Sequence, residues 1–193
     1  MSRALPWALP RAARAQHGNS RTIRLAAFLA ALCLASCATR PPEGLRGWTS
    51  GRMSLQVEPG PDRGAQSVSA AFELQGDGER GELRLLSPLG TQLASARWAP
   101  GLAALTTASG SAEFSSLDGL ARQALGESLP LAALPDWLAG RPWPGAPHLL
   151  QVAGFEQLGW QVGLGRLSEG FVLARRDQAP AVTLRVRLDT VGK

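Results

Sequence analysis

Residues 83–94 read LRLLSPLGTQLA, and this stretch decides the fold. Upstream, Leu83 and Leu85 share one face of an extended run, with Glu82 and Arg84 on the other. Downstream, Ala94, Ala96 and Trp98 share a face, with Arg97 opposite. Period-two alternation with one polar side predicts antiparallel strands with one face wet. Between them, Ser87-Pro88-Leu89-Gly90 suits a type I turn, with proline at its second position and glycine at its fourth. The third position takes φ near −90°, which any residue adopts, so geometry does not demand a leucine at 89. Two readings stay open: Leu89 folds back over the apolar face, or it projects. Burying one leucine contributes about 1.5–3 kcal/mol in a core or in a bilayer, so energy alone does not choose.

The same period extends in both directions. In 52–57, Met53, Leu55 and Val57 alternate with Arg52, Ser54 and Gln56. In 67–75, Val68, Ala70, Phe72 and Leu74 share a face. Late in the chain Trp160, Val162 and Leu164 alternate, Phe171 and Leu173 follow, and Val182, Leu184, Val186 and Leu188 oppose Thr183, Arg185 and Arg187. Short Gly-rich turns such as Gly76-Asp77-Gly78 and Pro100-Gly101 favour a meander of hairpins.

The middle of the chain breaks the period. From Ser115, the residues Leu117, Leu120, Ala121, Ala124 and Leu125 fall at helical spacing, with Ser115 or Ser116 as cap and Gly126 as stop. A second helix is predicted over 130–139, with Pro135 near its start or kinking it and Gly140 closing it. Pro142, Pro144 and Pro147 then force a loop that carries His148. The order is about five or six strands, two helices, then about four strands. The expected fold is mainly β with α: an open antiparallel half-barrel of about 10–11 strands, its concave apolar face covered by the helices. The space beneath them is either an apolar pocket or a filled core.

Charge and cysteine point to processing. Residues 1–24 carry Arg3, Arg11, Arg14, Arg21 and Arg24 and no acid. Residues 25–36, LAAFLAALCLAS, form an apolar run too short to span a bilayer, which takes roughly 20 residues. The run ends Leu34-Ala35-Ser36-Cys37, which fits a lipobox, so 1–36 is a signal peptide and Cys37 the lipidation site. With the leader gone, fifteen basic residues balance fifteen acids, and the charge argument for nucleic acid disappears. Cys33 leaves with the leader, so no intrachain disulfide remains. Diacylglycerol and an N-acyl chain on Cys37 anchor the protein stably, since each buried methylene contributes about 0.8 kcal/mol. Ala38, where the lipoprotein sorting rule reads aspartate as inner-membrane retention, sends it to the outer membrane. Residues 37–47 form a Pro/Gly tether and 48–193 one domain.

Catalytic chemistry is sparse. Past the leader there is one histidine, His148, without a nameable nucleophile or carboxylate partner, and the only lysine is Lys193. No metal-ligand cluster, nucleophile elbow or phosphate loop appears, so no cofactor beyond the covalent lipid is expected. A hydrolase is the remote alternative. Trp98 and Trp160 lie on apolar strand faces as core fillers, Trp137 sits on the covering helix, and Trp143 between two prolines is partly exposed.

Several stretches taken together resemble one family. They are Gly51-Arg52, Phe72, Leu85-Leu86-Ser87-Pro88-Leu89-Gly90, Leu125-Gly126 with Leu129-Pro130-Leu131, Trp137-Leu138-Ala139-Gly140 with Pro142, and Gly159-Trp160. In this order, behind a lipobox, the chain from about 48 to 188 resembles the LolB family of outer-membrane lipoprotein receptors. The resemblance implies an incomplete antiparallel barrel with helices over an apolar cavity. It implies a lipid-anchored, monomeric protein on the periplasmic face of the outer membrane. Such proteins take acylated lipoproteins from the periplasmic carrier LolA and place them in the inner leaflet, without nucleotide. It assigns insertion into the outer-membrane lipid to the loop Pro88-Leu89-Gly90, with Leu89 as the inserting residue. Phe72, Leu74, Leu85, Trp98, Leu120, Leu134, Trp137 and Trp160 are the candidates for lining the acyl-chain cavity. An acyl-chain-binding lipoprotein of the same fold without insertion activity is the alternative. Two departures stand out: the segment before the first strand is short, and Leu188-Asp189-Thr190-Val191 replaces a final tryptophan, which leaves open how the barrel edge is finished.

Overall fold

A computed structural model of the chain describes residues 45–60, 64–125 and 128–189. The expected signal peptide, the expected lipidation site Cys37 and the helix stop expected at Gly126 lie outside them. Six strands come first: β1 (Leu45–Val57), β2 (Gln66–Gly76), β3 (Gly81–Leu86), β4 (Gln92–Ala99), β5 (Leu102–Thr107) and β6 (Gly110–Phe114). Helices α1 (Leu117–Leu125) and α2 (Leu134–Leu138) follow. Then come β7 (His148–Gln151), β8 (Gly154–Gln157), β9 (Trp160–Gly163), β10 (Phe171–Arg176) and β11 (Val182–Leu188). All pair antiparallel in one open sheet of eleven strands, ordered β6-β5-β4-β3-β2-β1-β11-β10-β9-β8-β7. Two meanders are thus joined along their first and last strands. The chain between them, which carries both helices, runs from one sheet edge to the other.

The join is apolar on one face. Met53, Leu55 and Val57 lie opposite Val186, Leu184 and Val182, and Leu55, Val57 and the three β11 side chains are buried. Each such side chain contributes about 1.5–3 kcal/mol, and together they offset the loop-closure cost of pairing strands so distant in sequence. On the same face Gly51 sits opposite Phe72. A Cβ on Gly51 would come within 2.9 Å of the Phe72 ring and 2.3 Å of the Arg187 carbonyl, so only glycine fits.

Several expectations shift. β1 starts at Leu45, inside the stretch read as tether. β11 is not an edge but an interior strand beside the central β1, its end fixed by the Asp189 N–H donating to the Ser50 carbonyl at 2.9 Å and by the Ser50 hydroxyl donating to Asp189 at 2.9 Å. The free edges are β6 and β7. His148 opens β7 rather than sitting in a loop. In β10 the buried pair is Val172 and Ala174, and Phe171 and Leu173 face the other way because Phe171 registers with outward-facing Arg187.

The helices also differ from expectation. For α1 the cap is Ser116, whose Oγ accepts the Gly119 N–H at 3.1 Å. Asp118 in the first turn pairs with Arg122 one turn on. The second helix is five residues rather than ten, with 131–133 forming turns before it. Proline offers no N–H and its ring clashes with the carbonyl four residues back, so helical pairing begins only at Leu134, with Pro135 in the first turn. Gly140 (φ +78°) ends it, donating to the Trp137 carbonyl at 3.0 Å. Among the described residues no helix is long and apolar enough to cross a membrane.

Candidate functional site

The β3–β4 turn is built by its own backbone. Gly90 N–H donates to the Ser87 carbonyl at 2.9 Å and Ser87 N–H to the Thr91 carbonyl at 2.8 Å. The Ser87 hydroxyl oxygen accepts from the N–H groups of Leu89 (3.3 Å) and Thr91 (3.1 Å). Gly90 takes φ +80°, where a side chain would be strained. Leu89, whose direction the sequence leaves open, is 95% exposed. Nothing in the turn's hydrogen bonding requires that side chain, so a hydrophobic group is presented to the surroundings on a well-held loop.

On the sheet's apolar face lies a cavity of about 80 Å³. Met53, Leu55, Leu83, Leu85, Ala94 and Ala96 contribute from the strands, and Leu120, Ala121, Ala124, Leu129 and Leu131 from α1 and the segment after it. Arg176 joins that segment to the sheet: its guanidinium donates to the carbonyls of Ser128 (3.3 Å) and Pro180 (3.2 Å) and lies 5.7 Å from the Trp160 ring. Almost every surface of the cavity is hydrocarbon, so it suits an alkyl chain and offers nothing to a charged ligand.

Of the eight candidate cavity residues, Leu85 and Leu120 line this space. Phe72, Leu74, Trp98, Leu134, Trp137 and Trp160 do not, and all six are buried in the surrounding core. Trp98 is pinned by its indole N–H donating to the Asp77 carbonyl at 2.8 Å. Trp137 packs on Phe155 (6.3 Å between centroids) and Trp160 (6.1 Å), and its indole N–H donates to Gln157 Oε1 at 2.8 Å. Gln157, only 1% exposed, also accepts the Trp143 N–H at 2.9 Å and donates to the carbonyls of Trp143 (2.7 Å) and Ala146 (2.8 Å). Its amide thereby holds the Pro-rich loop against the tryptophans. Sequence reasoning passed over the lining alanines Ala70, Ala94, Ala96, Ala121 and Ala124 because it looked for large side chains. Large side chains fill space. The signal for a cavity is small ones facing each other across it.

Two buried carboxylates are structural. Burial pushes Glu82 up, but hydrogen bonds from Arg84 (2.8 Å) and Arg97 (3.2 Å) and their charges outweigh it and hold the carboxyl below its usual range. Burial dominates at Asp136 and raises it, although Arg141 donates to it at 2.7 Å. Neither faces the cavity. His148 is exposed, and among the described residues no group of His, Cys, Asp and Glu could hold a metal.

The family model described as Outer membrane lipoprotein LolB matches residues 45–190. Among relatives named outer-membrane lipoprotein LolB, that of Bordetella petrii is 36% identical over 180 residues, covering 85% of this chain and 89% of its own. That of Cupriavidus pinatubonensis is 34% identical over 162 residues (75% and 76%), and that of Halorhodospira halophila 30% over 162 residues (72% and 77%).

Proposed function

This chain belongs to the outer-membrane lipoprotein LolB family, and from that membership we propose that it receives acylated lipoproteins from the periplasmic carrier LolA and inserts them into the inner leaflet of the outer membrane. It is a lipoprotein-localisation protein of the outer membrane and not an enzyme. The anchor is diacylglycerol and an N-acyl chain on Cys37, following cleavage after Ser36. The sheet curls into a half-barrel, and α1, α2 and the segment between them cover its concave face. The cargo's acyl chains occupy the cavity beneath. At about 80 Å³ it is far smaller than the roughly 300–1,000 Å³ of ordinary ligand sites. It therefore opens on loading, with α1 and the partly buried Met53, Leu85 and Leu105 moving off one another. Closure on an empty site supplies a drive for release. Transfer without nucleotide runs down a gradient of affinity from carrier to receptor to bilayer.

One observation carries the insertion step: Leu89 is almost wholly exposed on a turn whose hydrogen bonds are complete without it. Held near a bilayer by the lipid anchor, such a leucine gains about 1.5–3 kcal/mol by dipping into hydrocarbon, enough to seat the turn and too little to trap it. The test is transfer of acylated cargo from loaded LolA. Leu89→Glu is expected to accept cargo normally but to deliver it to liposomes about tenfold more slowly or worse, since leucine burial is replaced by a charge. Normal delivery by that variant would remove Leu89 from the mechanism and favour a binding protein that does not insert.

A further inference from the structure

The outward face of the sheet, opposite the cavity, carries a groove of about 430 Å³. Its walls include Arg52 on β1, Arg185 and Arg187 on β11, Ser69 on β2 and Phe171 on β10. Arg52 lies directly opposite Arg187, and Arg185 is two residues along from it. Like charges facing each other across strands are destabilising. Neighbouring groups do little to relieve them. Arg185 donates to the Gln56 amide oxygen at 2.6 Å, and Arg187 lies 5.6 Å from the Phe171 ring. Among the described residues no carboxylate pairs with any of the three, and none lines the groove. The contrast with the rest of this face is sharp, because Arg84, Arg97, Arg166 and Arg175 all have carboxylate partners.

The groove is also lined by Pro88, the residue before Leu89. Successive Cα atoms are about 3.8 Å apart, so when Leu89 enters hydrocarbon the groove lies at the depth of the lipid headgroups. We infer that this arginine groove binds the phosphates of anionic phospholipids and seats the Leu89 turn on the bilayer. Guanidinium forks match phosphate oxygens in pairs, serine adds a donor, and an anion there relieves the Arg52–Arg187 repulsion. The inference rests on the membrane role proposed for Leu89, and it adds a lipid preference: seating depends on anionic headgroups and weakens as salt screens them.

The test uses the full lipidated protein in vesicles, with an environment-sensitive fluorophore on Thr91→Cys, an exposed position in the turn. The probe should report immersion in vesicles of phosphatidylcholine with phosphatidylglycerol, and much less in phosphatidylcholine alone. Each arginine near an anionic surface is worth roughly fivefold, so Arg52→Gln with Arg187→Gln should lower the seated-to-free ratio about 25-fold on the anionic vesicles and leave it unchanged on zwitterionic ones. Both positions are exposed and relieved of repulsion by the change, so an unaltered thermal transition is expected. Equal seating by the double variant overturns the inference. So does micromolar binding of inorganic phosphate by the wild-type protein in the absence of vesicles, lost in the double variant, which would mark a site for free phosphate. Normal seating with lost cargo reception from LolA would overturn it in favour of an acidic protein partner. Failure here with Leu89→Glu still defective in delivery leaves the insertion role standing. Normal delivery by Leu89→Glu with anionic seating lost in the arginine variant leaves the groove standing alone.

Discussion

The two ends of the apolar face are built on opposite principles. Around β8 and β9, Trp137, Phe155 and Trp160 fill the space, and the Gln157 amide satisfies the polar groups that filling buries. Around β3 and β4, alanines at 94, 96, 121 and 124 face leucines across a gap. Packing at the first end is fixed by directional bonds, so it has one arrangement. The second end has only dispersion contacts, which re-form at little cost after a slide. The proposed transfer of acyl cargo calls for both: one end to keep its shape if the other is to open. The strands bordering the gap are held in register from behind, where Glu73, Arg84, Glu82 and Arg97 form a charge ladder on the outward face of β2, β3 and β4.

Breaking the filled end has the largest expected effect. Trp137→Ala should cost about 3–5 kcal/mol by urea denaturation, from lost burial and the cavity left behind. A loss under about 1 kcal/mol would show that this end is not the rigid one. Filling the open end comes next. Ala94→Leu should leave stability within about 1 kcal/mol of the wild type while cutting acyl-cargo acceptance about tenfold, because it occupies the gap without breaking a bond. Normal acceptance by Ala94→Leu would place the cargo chains elsewhere. The ladder has the smallest effect. The folded pKa of Glu82 is depressed, so its contribution is present above the ordinary value of 4.5 and lost as pH falls through the lowered one. Glu82→Gln should be about 1 kcal/mol less stable at neutral pH, with the gap closing in acid. A stability difference that does not change with pH would count against the charge assignment.

Much of this was legible in residue order. The strands of 52–57, 67–75, 82–86, 92–98 and 182–188 announced themselves by period two because one face is wet and the other dry. The helix from Leu117 was legible from its cap and spacing. Strands β5 and β6, counted but not located, have weak alternation: Ala103 is buried while Leu102 is half exposed, so the apolar residue is not always the inward one. Phe171 misled in the same way. It faces outward against Arg166 (4.4 Å) and Arg187, and its guanidinium contacts could not be read from one strand. Of the eight residues put forward for the cavity wall, Leu85 and Leu120 line the gap and the six others are buried in the core around it, where side chains already packed on one another leave no room.

Residue order alone determined the alternation that makes a one-sided sheet, the turn at Ser87–Gly90 and the want of catalytic groups, and it carries the expectation of a lipoprotein leader ending at Cys37. These are local properties: each depends on side chains within a few positions of one another. Only the tertiary structure decided that β11 closes on β1, that Leu89 points outward, that three arginines from two strands share one groove, and that the gap opens at the alanines. Those depend on which strands become neighbours, and pairing across some 130 residues is settled by the whole buried face at once, not by any stretch of it.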